Sequence, residues 1–314
     1  MGGQKMANRS SRHKEKSPKK WWKITLVVLL VLVLGVGSYA YSIYHNAKQT
    51  VNKKMYETVE SIDHVIGKKK LKETKQVNIL LLGIDTETGD RGRSDAIMVL
   101  SLKPKTNSMQ LISIPRDTRT EIIGRGHEDK INHAYAFGGA DMSIATVENL
   151  LDMDFDFFVS MNMSGLKELV DQLGGITVNN EIEWQDGKYN FTKGPTDMDG
   201  DKAMSFVRMR KQDPEGDFGR TKRQRKVIEG IIDKGASIAS IPKISGTIDI
   251  LGNNMDTNLD FDDMKKLLSG YSNTRKNMDN YQMSGTGTTI DGIYYLIVPD
   301  EEVEKVKQMI AEDT

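Results

Sequence analysis

Hydrophobic and polar positions follow three rhythms along this chain, and the first is a long unbroken one. Between residues 24 and 47 no Asp, Glu, Lys or Arg occurs, and residues 24–34 are apolar apart from Thr25. About 20 such residues span a bilayer as a helix. Trp21 and Trp22 flank one end and Tyr39, Tyr41 and Tyr44 the other, where interfacial aromatics belong. Residues 1–23 are rich in Lys and Arg, with Glu15 their only acid. No clear small-x-small cleavage site follows the apolar run before the tyrosines, so an uncleaved anchor is read in place of a cleaved signal peptide. The pattern predicts a cytoplasmic basic tail (1–23), an uncleaved transmembrane signal anchor (24–44) and a type II, single-pass membrane protein with its C-terminal part outside the cell. Residues 45–76 are polar, with loose apolar recurrences at Val51, Met55, Val59, Ile62 and Val65–Ile66, and predict a stalk helix followed by a solvated linker.

The second rhythm is strand-like. Residues 77–83, VNILLLG, form a continuous apolar run of strand length, as in a central strand buried on both faces. Strands are expected again at 96–102 and 109–114, joined to it by loops too short for crossovers, so these three should be antiparallel. Further strands are expected at 157–162, 176–182, 280–284 and 293–298. The third rhythm is helical, at 140–151, 164–173, 241–251, 261–271 and 300–312. Residues 121–132 and 184–200 read as loops. Strands interleaved with helices over residues 77–314 predict an α/β fold, expected as a three-layer α/β/α sandwich around a central mixed, largely antiparallel sheet.

Composition adds little except through what is missing. The formal net charge is zero and cysteine is absent. That removes disulfides, thiolate metal sites and a cysteine nucleophile. A domain outside the cell has no access to chromosomal DNA, so nucleic acid is not an expected partner.

Against that neutral background, residues 205–225 (SFVRMRKQDPEGDFGRTKRQR) concentrate positive charge. The alternation Phe206, Val207, Arg208, Met209, Arg210 reads as a short strand with Arg208 and Arg210 on one face. Asp213-Pro214-Glu215-Gly216 is turn chemistry. A basic helix follows from about 217–219 to Lys234, and Arg220, Arg223 and Gln224 share one of its faces at i, i+3 and i+4. Planar guanidinium forks fit phosphate oxygens bidentately. The alternative is a solvated basic helix with Asp213, Glu215 and Asp217 as local partners. Asp85 ends the first strand, Arg93 and Asp95 open the second, and Arg116 follows the third in Pro115-Arg116-Asp117. An aspartate at a strand end is often a turn residue. Two of them bracketing one loop also suit Mg²⁺, which takes one or two carboxylates plus substrate phosphates. His127 and His133 read as capping or packing residues, and no histidine pair has metal-ligand spacing.

Taken together, NILLLGID (78–85), RSDAIMVLSL (93–102), SIPRDT (113–118), KINHAYAFGG (130–139), LGGITV (173–178) and the run 199–225 resemble the LytR-CpsA-Psr family of cell-wall assembly enzymes. The resemblance implies a phosphotransferase that moves a polyprenyl-pyrophosphate-linked anionic glycopolymer, of the wall teichoic acid type, onto peptidoglycan with release of polyprenyl phosphate. It implies Mg²⁺ held by Asp85 and Asp95, and catalytic Arg116, Arg208, Arg210 and Arg220 on the diphosphate. Arg93, Lys130, Arg223 and Gln224 are the implied substrate-binding residues. This chain departs from the family pattern at Thr86-Glu87-Thr88, where many members carry an arginine that Arg91 could replace. A polyprenyl tail also requires an apolar tunnel, and some of the 17 methionines would suit one, although most are expected in the core. The rival readings are a non-catalytic membrane-tethered receptor for anionic polymer, a lipid pyrophosphatase, and a transcriptional regulator.

Overall fold

Residues 21–85, 92–235 and 241–311 are described by the computed structural model. Its first element, α1, is a helix over Trp21–Thr50. Within the described residues, side chains are described from residue 29 on, excepting 31, 33 and 241–245, and among the described residues no helix is long and apolar enough to cross a membrane. The chain divides into one unit ending at Asn46 and a second, Ala47–Thr314, that holds the other elements.

The segment expected to be a solvated stalk is instead part of this second unit. Ala47, Val51 and Met55 are buried, and Tyr56 forms a parallel bridge to Thr257. Asp141 accepts the Glu60 and Ser61 N–H groups at 2.7 and 3.0 Å. Helix α2 (His64–Lys72), capped by the Asp63 carboxylate, buries Leu71. The loose apolar recurrence at Val51, Met55 and Ile62 is therefore a core pattern; only Val65 and Ile66 face solvent.

The meander β1 (Val77–Asp85), β2 (Arg93–Lys103), β3 (Ser108–Ile114) forms as expected and is antiparallel throughout. The polar stretch after it is a small hairpin, β4 (Arg119–Ile122) with β5 (His127–Lys130), rather than a loop. Helix α3 spans His133–Leu151 but is broken at Gly139, whose φ of +70° only glycine adopts readily. Residues 140–151, expected as the whole helix, are its second half. Next come β6 (Phe157–Asn162), which pairs parallel to β1, and α4 (Met163–Gln172), capped by Asn162. Residues 176–198 form β7 (Ile176–Asn180), β8 (Trp184–Asp186), β9 (Tyr189–Phe191) and β10 (Gly194–Met198), short strands that two-residue periodicity cannot separate from turns.

The expected strand at 206–210 is a helix. In α5 (Gly200–Arg208) the Asp199 carboxylate caps the Lys202 N–H at 2.8 Å, and Ala203, Met204, Phe206 and Val207 are buried together. Spacings of three and four residues are helical; the alternation around Arg208 was too short to outweigh them. The chain then turns into α6 (Asp217–Gly235) and α7 (Ile241–Asn254), and β11 (Met255–Thr257) and α8 (Phe261–Gly270) follow. It ends with β12 (Asn277–Gln282), the hairpin β13 (Thr286–Ile290) and β14 (Ile293–Ile297), and α9 (Asp300–Ile310).

The central sheet has the order β11-β6-β1-β2-β3-β12 and is mixed: β6–β1 and β3–β12 are parallel, the other pairs antiparallel. Helices cover both faces. Leu80, Leu82, Ile97, Val99 and Ile112 pack with Ile144, Val147 and Leu151 of α3 and Val306 of α9. On the other face Val77, Ile79 and Leu102 pack with Leu71 of α2 and Leu259, before α8. A separate core, centred on Phe191, Phe206 and Trp184, joins α4, α5 and α6 to the small strands. Since a strand's neighbouring side chains alternate between faces, burial on both sides explains why residues 79–82 of β1 are apolar without interruption.

Candidate active site

The site starts from an irregularity in the sheet. β1 and β2 pair one to one as far as Gly83 opposite Ala96, then resume with Ile84 opposite Ser94. Asp95 is the extra residue on β2, and a bulge of this kind twists the strand and re-aims a side chain. Gly83 permits the close approach, because a Cβ there would stand 2.9 Å from that of Ala96. The Asp95 carboxylate accepts hydrogen bonds from Arg116 Nη1 at 2.6 Å and Asn132 Nδ2 at 3.2 Å. Lys130 Nζ donates to Asp117 at 2.8 Å, beside Arg116. Asp95, Arg116 and Lys130 thus meet at the C-terminal end of β3.

Helix α6 supplies the other half. Asp217, in its first turn, lies 2.7 Å from Arg220 Nη2, 3.5 Å from Arg116 Nε and 3.6 Å from Arg210 Nε. Three guanidinium groups from three segments therefore surround one carboxylate. Arg116 and Arg220 are only 18% and 12% exposed, yet Arg116 Nε and both Nε and Nη2 of Arg220 make no hydrogen bond. Buried donors are nearly always satisfied, and one carboxylate cannot serve so many. Burial lowers the pKa of Arg220; Asp217 and Asp95 oppose this, while Arg116 and Arg210 reinforce it. Desolvated like charges of this kind suit an anion with several oxygens.

One turn along the same helix, Gln224 is buried with Oε1 lacking a hydrogen bond. It lines an apolar cavity of about 120 Å³ between β1, β2 and β6 on one side and α4 and α6 on the other. Met98, Met161 and Met163 contribute to its wall with Leu166, Val207 and Ile228. Cationic cluster and apolar cavity thus share one helix.

Not all expected residues join this cluster. Arg223 is 4% exposed. Its Nε donates to Phe206 O at 3.0 Å, Nη1 to the Asp213 carboxylate and Nη2 to Met209 O, and its guanidinium stands 5.4 Å from the Trp184 ring centroid. These contacts use the side chain to hold the α5–α6 connection, so its expected substrate-binding role is corrected to a structural one. Arg208 is exposed at the end of α5, and with the strand gone it does not share a pleat face with Arg210. Asp85 and Arg93 stand opposite one another where β1 meets β2. Thr86, Glu87, Thr88 and Arg91 lie outside the described residues. His133 is bonded to Asp129 at 2.8 Å, a structural role as expected.

Three contributors escaped sequence reading. Asp217 was visible only as a local partner for the basic helix, although its i, i+3 spacing to Arg220 was a signal. Asp117 adjoins Arg116, and Asn132 lies in KINHAYAFGG; nothing in sequence shows that they converge.

The donor set fits a hard cation. Asp85 and Asp95 are diagonal neighbours about the bulge, and both are oxygen ligands of the kind Mg²⁺ shares with phosphates. Among the described residues the one group of three potential ligands lies elsewhere, at His64, Asp260 and Asp263. There Lys68 Nζ, 2.6 Å from Asp260 and 3.8 Å from Asp263, already supplies the positive charge.

The chain is similar to known proteins over most of its length. TagU of Bacillus subtilis (strain 168), named as a polyisoprenyl-teichoic acid–peptidoglycan teichoic acid transferase, is 41% identical over 302 residues, 96% of this chain and 98% of TagU. The crystal structure of B. subtilis TagU superposes with a TM-score of 0.63 at 41% identity, covering 75% of this chain and 95% of that one. A structure of TagT bound to LIIa-WTA superposes at 0.66 with 30% identity, covering 82% and 95%. A family model matches residues 40–312, a span that contains the bulge, the arginine cluster and the apolar cavity of this chain: the chain belongs to the LytR_cpsA_psr family.

Proposed function

We propose that this protein transfers a glycopolymer phosphate from a polyprenyl pyrophosphate carrier to a hydroxyl of peptidoglycan, releasing polyprenyl phosphate. The observation that carries the reading is the pair Arg116 and Arg220, buried with guanidinium donors that make no hydrogen bond, the second of them on a helix that also walls an apolar cavity. Relatives named for teichoic acid transfer to peptidoglycan, and TagT bound to LIIa-WTA, support the same chemistry.

In this mechanism the acceptor hydroxyl oxygen attacks the phosphorus bonded to the polymer's sugar. A new O–P bond forms as the bond to the bridging oxygen breaks, the electron pair leaves with polyprenyl phosphate, and the hydroxyl proton passes to solvent. Enzymes of this class work mainly by positioning and charge stabilisation. Arg116 and Arg220 neutralise the equatorial and leaving oxygens, with Arg210 and Lys130 at the rim. Asp217 holds the three guanidinium groups ready, which preorganises them for charge that develops in the transition state. Gln224 offers an acceptor at the mouth of the apolar cavity, where Met98, Met161 and Ile228 receive the start of the lipid. Asp85 and Asp95 would hold Mg²⁺, which when bound neutralises charge on the diphosphate. The apolar run at 24–44 is proposed as the membrane anchor that keeps the domain at its lipid-linked donor.

The test is transfer of a radiolabelled lipid-linked polymer to peptidoglycan oligomers. Arg116→Ala and Arg220→Ala should each lower kcat by about 10²–10³, the cost of removing one preorganised donor. Near-normal transfer by either variant would refute the assignment, and equal turnover without peptidoglycan would make water the acceptor.

A further inference from the structure

Three large apolar side chains of the second unit stand largely in water. Val65, Ile66 and Leu268 are 76%, 51% and 77% exposed, more than any other large apolar side chain described between Ala47 and Thr314. Single exposed hydrophobes are ordinary, but a group of them on one element calls for a cause. Val65, Ile66, Lys69 and Lys72 recur at spacings of three, four and seven residues and so share one face of α2. The rest of the helix is spent on the fold: Gly67 and Leu71 are buried, Lys68 reaches Asp260 at 2.6 Å and Lys70 reaches Asp156 at 2.8 Å. α2 contains no acid, and Glu73, just after it, is paired with Lys75. Its outer face is therefore two greasy side chains followed by two exposed lysines. Leu268 stands on α8, the helix whose cap Asp260 is tied to α2 through Lys68, and Lys265 is exposed on the same helix.

Apolar side chains bordered by lysines fit the boundary of a bilayer with anionic head groups. The hydrocarbon takes the apolar groups, and the ammonium groups rise to the phosphates. A second copy of this chain fits poorly, because a two-fold contact through this face would set Lys69 and Lys72 against their own copies.

The chain itself keeps this face within reach of a membrane. The proposed anchor ends at residue 44, and Ala47 is already buried in the second unit. Lys48 lies 3.4 Å from Asp262, and Asn52 Oδ1 accepts the Phe261 N–H at 2.9 Å, so the first residues past the anchor are fastened to the start of α8. Leu268 is seven residues further along that helix, about 10 Å. The apolar cavity lies on the same side of the sheet: Leu81 and Val159 pack with the core under α2 and α8 and also line the cavity. At about 120 Å³ it is well below the roughly 300–1,000 Å³ of a drug-sized pocket, so most of a polyprenyl chain must lie outside it. We propose that the outer face of α2, with Leu268 of α8, is a docking surface for an anionic lipid bilayer, on which the domain lies with its apolar cavity on the membrane side of the sheet. The proposal rests on the reading of residues 24–44 as an anchor.

The chain has no cysteine, so single introduced cysteines report without background. Full-length Ile66→Cys, Leu268→Cys and Glu304→Cys, each carrying a nitroxide, are placed in nanodiscs of phosphatidylglycerol. Power-saturation EPR then compares access to oxygen, which concentrates in hydrocarbon, with access to a neutral nickel chelate, which stays in water. The labels at 66 and 268 are expected to favour oxygen, and the label at 304, on α9, the chelate. Lys69→Gln and Lys72→Gln should each lower the docked-to-free ratio about fivefold, and phosphatidylcholine discs should lower it as well. All these positions are exposed, so thermal melts of the variants should match wild type. Labels at 66 and 268 that read like the one at 304 overturn the docking, whether or not added protein later covers them. Shielding that survives both lysine changes and the neutral lipid overturns it too. A chain that fails to enter the discs refutes the anchor and the docking with it, whereas a chain that enters with open labels refutes the docking alone.

Discussion

Arg220 and Arg223 lie one turn apart on α6 and look equivalent in sequence, so replacing Arg223 separates structure from catalysis. Arg223→Ala removes a side chain that is 4% exposed and donates to Phe206 O, Met209 O and the Asp213 carboxylate. Asp213 is itself only 5% exposed and would lose its ion-pair partner, keeping only the Glu215 N–H at 2.7 Å. Breaking a buried pair by removing one member costs about 3–5 kcal/mol, and the lost packing against Trp184 acts in the same direction. That is a large part of the roughly 5–15 kcal/mol that holds a domain folded. Urea unfolding followed by tryptophan fluorescence should therefore show a lower midpoint with an unchanged slope, while transfer per folded molecule stays within about threefold of wild type. Asp213→Asn combined with Arg223→Ala should recover part of the loss, because the stranded charge is gone. A stability change below about 1 kcal/mol together with abolished transfer would refute the structural assignment and return Arg223 to the phosphate site.

Other outcomes follow from single features. Burial raises the Glu148 carboxyl to about 7, so between its unfolded value and about 7 the folded state binds the extra proton and stability falls as pH rises. Glu148→Gln, which keeps an acceptor for the Phe155 N–H bonded at 2.9 Å, should gain about 1–2 kcal/mol at pH 8 after allowance for partial solvent access and nothing near pH 4; an equal change at both would refute the ionisation account. Met161→Trp fills the apolar cavity and should raise the KM for a long-chain donor while sparing a short-chain analogue; overpacking costs about 1–3 kcal/mol, so thermal melts accompany the kinetics. Chelation with EDTA should slow transfer and added Mg²⁺ restore it, and Asp85→Asn should raise the Mg²⁺ needed; rates indifferent to both would remove the cation from the site.

The sequence was most informative where one physical demand dominated. Residues 77–114 could hardly be anything but neighbouring strands, because apolar runs joined by brief turns leave no room for crossovers. The direction of β6 and the placing of β11 and β12 depend on long-range pairing that local pattern does not encode. Around Arg208, five alternating residues suggested a pleat, yet the Asp199 cap and the spacing of Ala203, Met204, Phe206 and Val207 had already committed the segment to a helix. Residues 47–72 looked solvated because their few apolar side chains are widely spaced, though Ala47, Val51, Met55, Ile62 and Leu71 are buried. At the site, Arg116, Arg210, Arg220 and Asp95 were legible by residue type. The convergence on Asp217 was not, since three separate segments must fold before it exists.

Helix α6 also works as a ruler. From Arg220 to Ile228 is eight residues, or about 12 Å at 1.5 Å per residue. One rigid rod therefore sets the separation between the arginine cluster and the apolar cavity and, under the proposed function, between the grip on a head group and the seat of its greasy chain. Adding or deleting a residue within it would rotate one end by about 100° against the other. A carrier whose polar and oily parts are spaced differently would satisfy only one end at a time.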